Sequence, residues 1–298
     1  MHCFRRHREY GNCRPRFSVC LAAWVLLGTG LAAGGDGPER WTRDGPIECR
    51  PFRGTDRFPL SDQSNGGGWV ADPAFSDEFQ GAELDQQKWQ PHMPWWKGRP
   101  PALFLPENVS VADGMLRLTM RQETVAEMAD DARYEGYTSA VLMSRERTGY
   151  GYYEVRARPM ASAGSSSFWF QKEADQGWLT EIDVFELSGA PDFAAIYHMN
   201  AHVFRTPEAD EHQVFPGKWQ APAPLCDAFH VYGFEWTGKE LTWYVDGSPV
   251  YRLENTHWHR PLYLIFDSET MPEWFGIPAA ADLPSTYCVD YVRVWRKR

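Results

Sequence analysis

From Trp69 to the C-terminus, apolar residues recur at every second position in short runs and almost never at helical spacing. That regularity confines the chain to an all-β fold, because a period of two puts one face of a strand in a core and the other outside it. Val109-Ser-Val-Ala-Asp-Gly-Met-Leu-Arg-Leu-Thr-Met120 reads as two strands around an Asp113-Gly114 turn. Gly151–Arg158, Phe229–Trp236 and Leu241–Val245 alternate in the same way, with Asp246-Gly247 as a second turn. Leu262–Phe266 and Val289–Trp295 continue the series, and Glu123 to Asp131 offers at most a turn or two of helix. Many short strands at regular spacing predict an all-β sandwich, one domain covering 69–298.

The first 68 residues read differently. Five arginines up to Arg16 precede an apolar run from Phe17 to Leu27 and then small residues, which predicts a signal peptide over 1–33 and a secreted or periplasmic protein. No membrane contact is expected beyond that leader. Residues 34–68, rich in Gly, Pro, Asp and Arg and without periodicity, predict a flexible arm. The leader carries five Arg and one Glu, so taking its net +4 from the chain's −10 leaves −14. Such a balance excludes nucleic acid as a partner, since phosphate binding needs a basic face. Cys49, Cys226 and Cys288 remain after the leader, an odd number whose pairing spacing does not fix. Fourteen tryptophans exceed what a core needs, and part of them is expected along an exposed groove where flat sugar rings stack. A monomer is expected.

Thr180-Glu-Ile-Asp-Val-Phe-Glu186 packs three acids into six residues of an apolar β run. Acids on a solvent-facing strand normally alternate with Lys, Arg or Thr, whereas these alternate with Ile, Val and Phe. Strict alternation would leave Glu181 and Asp183 on one face and Glu186 behind it. One β-bulge near 184–185 returns Glu186 to the acidic face, and bulges concentrate beside active sites. The two glutamates are then about 13 Å apart at Cα, at ~3.3 Å per step, and inward-leaning side chains approach the ~5–5.5 Å of a retaining glycosidase pair.

The motif resembles the bulged E-[IL]-D-x-x-E signature of glycoside hydrolase family 16. Phe75-Ser-Asp-Glu-Phe79 with Leu84-Asp85 and Lys88-Trp89, then Tyr150–Arg156, Phe229–Trp236, Trp243–Gly247 and Val289–Trp295, resemble further blocks of that family in order. The resemblance implies a β-jelly-roll sandwich of two antiparallel sheets with a polysaccharide groove, endo-hydrolysis with retention, and no cofactor for catalysis. By position it implies Glu181 as nucleophile, Glu186 as acid/base and Asp183 as the residue that orients and tunes Glu181.

Trp96-Lys-Gly-Arg99 with Pro106–Val109, Asn200-Ala-His202, and Leu264–Glu269 leading to Trp274-Phe-Gly276 are similar to the branch acting on red-algal galactans: agarases, porphyranases and carrageenases. An endo-β-1,4-galactanase on a neutral or lightly sulfated galactan is therefore expected. Candidate substrate contacts are Trp95, Arg99, Arg145, Trp169, Trp178, Asn200, His202, Glu269 and Trp274. Glu78, the backbone of Gly114 and Asp290 match the family's structural calcium positions, a donor set that Ca²⁺ accepts. An endo-β-1,3-glucanase of laminarinase type is the alternative activity, and a non-catalytic lectin-like sandwich is the alternative class, which an intact set of three acids argues against.

Overall fold

The computed structural model describes residues 37–47, 50–172, 174 and 177–298, and Pro38–Arg298 form one compact unit. Two antiparallel sheets carry the chain. The outer sheet runs Arg40–Thr42, Ser248–Glu254, Glu240–Val245, His230–Trp236, Gly151–Arg158, Ser285–Lys297, Met115–Met120, Val109–Ala112, with Trp69–Ala71 also beside Ser285–Lys297. The inner sheet runs Gln213–Val214, Ile196–Arg205, Leu179–Leu187, Ser165–Gln171, Leu262–Glu269, Tyr137–Thr148, Trp89–Gln90. Gly217–Gln220 pairs with Ile196–Arg205, and Ala102–Phe104 joins Tyr137–Thr148 in parallel.

Period-2 alternation sorts the inner sheet cleanly. Phe168, Phe170, Ile182, Met199, Ala201, Leu264 and Phe266 all turn into one core with Val155, Phe234, Trp243 and Val292 of the outer sheet. Trp236 and Trp243 are buried in that core, while Trp295 is buried in a separate cluster with Trp69 and Tyr152. The two anticipated turns form, with φ of 54° and 68° at Asp113-Gly114 and 47° and 77° at Asp246-Gly247. Positive φ at both central residues is the hairpin geometry that matches strand twist.

The bulge lies where the three acids require it. Asp183 pairs with Asn200 and Glu186 with His198, three steps on one strand against two on the other; on the opposite side Asp183 pairs with Trp169 and Phe185 with Phe168. Val184 and Phe185 consequently both enter the core, fully buried. Two indoles buried in the core support this strand. Trp243 Nε1 donates to the Asp183 carbonyl at 3.0 Å, and Trp258 Nε1 lies 2.9 Å from the Glu181 carbonyl and 3.1 Å from that of His202.

Within the stretch expected as an arm, the described residues 38–47 and 50–68 make contacts with the sandwich. Arg40–Thr42 adds an edge strand to Ser248–Glu254, and Leu60 is buried. Their main anchor is polar: Arg53 bonds the fully buried Glu154, which also accepts from Tyr291 Oη at 2.9 Å and the Leu60 amide at 2.7 Å. A segment tied down by charge and single residues carries no periodic signal. Two carboxylates expected at a calcium site carry ion pairs here: Glu78 accepts from Arg293 at 2.7 and 3.0 Å, and Asp290 from Arg156 at 2.5 Å. Gly114 belongs to the hairpin turn. Cys226 lies in the turn Leu225–Asp227 and Cys288 in the strand Ser285–Lys297, while Cys49 and the leader lie outside the described residues.

Arg53→Ala should lower folding stability by about 3 kcal/mol, since it strands a buried carboxylate; denaturant unfolding would read this as a lower midpoint at unchanged slope. Trp243→Phe keeps an aromatic ring, of smaller volume, but leaves the Asp183 carbonyl unpaired in the core. It should cost about 1–3 kcal/mol and reduce turnover more than substrate affinity, measured by unfolding and steady-state kinetics together.

Candidate active site

The face of the inner sheet turned away from the core opens into a cleft of about 390 Å³ lined by Met93, Trp95, Trp96, Arg99, Ser167, Trp169, Gln171, Glu181, Asp183, Glu186, Phe204 and Glu269. Three strands build its floor: Ser167, Trp169 and Gln171 by alternation from one, the three acids by alternation and the bulge from the next, and Glu269 from Leu262–Glu269 on the far side. The stretch Met93 to Phe104 supplies a wall. Trp96 meets Phe104 edge-on at 5.0 Å and Trp169 at 6.1 Å, and the Arg99 guanidinium lies 5.8 Å from the Trp96 ring.

The cleft is crowded with acid. Burial first, then the charges of Asp183 and Glu269, push Glu181 well above the usual carboxylate range, against the opposing pull of Gln171 and Arg99. Burial likewise raises Glu186, followed by Asp183, Glu269, Glu181 and Asp267, each of which adds to the shift. Glu269 is raised to about 7 by burial, with Arg99 opposing. The environments of the two outer glutamates therefore differ in kind. Glu181 accepts a hydrogen bond from Gln171 Nε2 at 2.5 Å, and Trp95 Nε1 in turn donates to Gln171 Oε1 at 3.3 Å. Glu186 is surrounded by like charge. Coupled carboxyls share protons as a set, and among them Glu181 has a hydrogen-bond donor to its carboxylate whereas Glu186 has only like charges around it.

Of the residues anticipated as substrate contacts, Trp95, Arg99, Trp169 and Glu269 line the cleft. Arg99 is not free in it, because its Nε donates to Glu269 Oε2 at 2.8 Å. His202 comes to the acids themselves: its Nε2 lies 3.3 Å from Asp183 Oδ2 and 4.0 Å from Glu181 Oε1. Trp178 and Trp274 flank the catalytic strand. Trp178 immediately precedes Leu179 and carries Arg260 at 5.3 Å from its ring; Trp274, 40% exposed, meets the His198 ring at 4.9 Å, and His198 is the register partner of Glu186. Two anticipated contacts are not among the cleft lining. Arg145 Nε donates to the Gln86 carbonyl at 2.5 Å, away from the cleft lining, since it follows the buried part of its strand and turns to the neighbouring loop. Asn200 is in register with Asp183 beside the cleft lining, and its Oδ1 accepts the Ala201 amide at 3.0 Å.

Several lining residues were not anticipated. Gln171 and Ser167 share the face of Trp169 at a spacing of two, a signal present in Ser165–Gln171. Trp96 adjoins Trp95 in sequence. His212, whose Nε2 lies 2.9 Å from His202 Nδ1, arrives from a separate loop and leaves no local signal.

A family model described as "Beta-porphyranase A-D, GH16 domain" matches residues 69–297. β-Porphyranase D of Zobellia galactanivorans is 31% identical over 260 residues, covering 76% of this chain and 61% of that protein, so the chain spans under two thirds of that relative's length. β-Porphyranase E of the same organism is 32% identical over 248 residues, covering 76% and 87%. The crystal structure of porphyranase B from Zobellia galactanivorans is similar with a TM-score of 0.67 at 26% identity, over 76% of this chain and 92% of that one. With the match spanning both sheets and every acid of the cleft, the chain belongs to glycoside hydrolase family 16, in its β-porphyranase group.

Proposed function

We propose that the protein is an exported, endo-acting, retaining glycoside hydrolase that cleaves β-1,4-galactosidic bonds in a red-algal galactan of agar type. One observation carries the reading: the bulge returns Glu186 to the face of Glu181 and Asp183, inside a cleft walled by tryptophan. Ionised Glu181, oriented by Gln171, attacks the anomeric carbon as Glu186 gives its proton to the departing glycosidic oxygen. Water, giving a proton to Glu186, then displaces Glu181 from the covalent glycosyl-enzyme, and the configuration is retained. Asp183 acts beside Glu181 as a positioning group, and its charge helps keep the proton on Glu186.

For the substrate, the support is chemical and comparative. Arg99 is the cation among the described lining residues and is already neutralised by Glu269, an arrangement suited to neutral sugars or a lightly sulfated chain next to the scissile bond. The relatives named β-porphyranases favour porphyran among the galactans. Export rests on the basic and apolar order of residues 1–33. Among the described residues no helix is long and apolar enough to cross a membrane.

Reducing-end release should appear on porphyran or agarose and stay absent on laminarin; activity confined to laminarin would sink the galactan assignment in favour of a β-1,3-glucanase. Glu181→Gln should lower turnover by about 10³-fold or more while polysaccharide binding survives. Removing one charge from a buried acidic cluster should also raise the melting temperature by about 2–4 °C. Glu269→Gln removes a negative neighbour of Glu186 and leaves Arg99 uncompensated. Both changes favour ionised Glu186, so the alkaline limb of kcat/KM should move about one pH unit toward acid, read from a pH–rate profile.

A further inference from the structure

Asp183 Oδ2 is a buried oxygen without a hydrogen-bond partner, on a residue only 4% exposed. Unpartnered carboxylate oxygens in that setting are costly, and each requires a counterpart. The nearest group is His202 Nε2 at 3.3 Å, which is not aligned to donate to it. On its other side the same ring faces His212 Nε2, 2.9 Å from His202 Nδ1. Since Nε2 makes no hydrogen bond, the ring proton is assigned to Nδ1, donating to His212. The Nε2 lone pair is then available beside carboxylate oxygens of Asp183, at 3.3 Å, and Glu181, at 4.0 Å. Stacking fixes that orientation: the His202 ring lies 5.3 Å from Phe204 at an interplanar angle of 9°, and 5.1 Å from His212 at 26°.

We infer that Glu181, Asp183 and His202 form a binding site for a first-row transition-metal cation, Zn²⁺ above all. One donor atom from each residue lies within 4.8 Å of the other two. His202 Nε2 is 3.3 Å from Asp183 and 4.0 Å from Glu181, against roughly 3.3–3.6 Å between donors around a tetrahedral ion with bonds of ~2.0–2.2 Å. Two carboxylates and an imidazole leave a fourth position open to the cleft, and the donor from Nδ1 to His212 is the outer contact that ligating histidines use to fix their tautomer. Imidazole nitrogen selects against Ca²⁺ and Mg²⁺, which take oxygen ligands in larger number. The ion would occupy the carboxylate that attacks the sugar, so micromolar metal acts as a competitive inhibitor. This consequence rests on the catalytic reading above, whereas the binding itself does not.

Titration calorimetry of the intact, metal-stripped protein with ZnCl₂ should show one ion per chain. His202→Ala, and independently His202→Gln or Glu181→Gln, should weaken binding by about tenfold or more, with circular dichroism confirming that each variant is folded. Co²⁺ absorption in the visible should report an imidazole–carboxylate site in the wild type and change in the His202 variants. Wild-type protein that takes up no Zn²⁺, or folded His202 variants that bind it as tightly as wild type, would overturn the proposal. Hydrolysis unchanged at saturating Zn²⁺ would overturn the inhibition. Zinc bound through His202 in a protein that cleaves none of the polysaccharides would leave the metal site standing and overturn the catalytic reading.

Discussion

Everything at the cleft depends on one extra residue in the strand Leu179–Leu187. Without it, Glu186 would enter the core and Phe185 would face the acids. The bulge interrupts the ladder beside Asp183, whose carbonyl takes its hydrogen bond from an indole of the opposite sheet. Trp243 is therefore more than core volume: it links the outer sheet to the local geometry of the acidic strand. Trp258, from the loop after Ser248–Glu254, bonds the carbonyls of Glu181 and His202. The core holds the chemistry in place through three polar contacts embedded in apolar packing.

The second constraint is electrostatic and works against folding. Glu181, Glu186, Asp267 and Glu269 are all raised by burial, and Arg99 is the cation beside them. Carboxyls with pKa values above their unfolded ones bind more protons when folded, so their contribution to stability falls as pH rises from about 4.5. A sandwich with a large apolar core can bear that cost. What it gains is a pair of glutamates with unlike surroundings, one hydrogen-bonded and one ringed by negative charge, which is the condition for separate acid and nucleophile roles.

Much of this was legible in the sequence, and for physical reasons. Period-2 alternation is enforced by packing on one face, so the strands, the Asp-Gly hairpins and the bulge could be read from residues 109–120 and 181–186. The acids stood out because their neighbours are apolar. What stayed hidden was made by contacts remote in sequence. Arg53 finds Glu154 across 101 positions, and the segment it anchors has no pattern of its own. Arg293 and Arg156 pair with Glu78 and Asp290, two carboxylates expected at a calcium site. Asn200 sits in the right register and its Oδ1 accepts the Ala201 amide, a choice of rotamer that no spacing reveals.

Trp178 and Trp274 stand at the two ends of the acidic strand, one before Leu179 and one beside the partner of Glu186. A nine-residue strand is about 30 Å long at ~3.3 Å per residue. Neither ring is among the cleft lining. On the proposed reading, a fragment held at the acids alone meets neither, and contact with either ring requires a polymer that continues beyond the cleft.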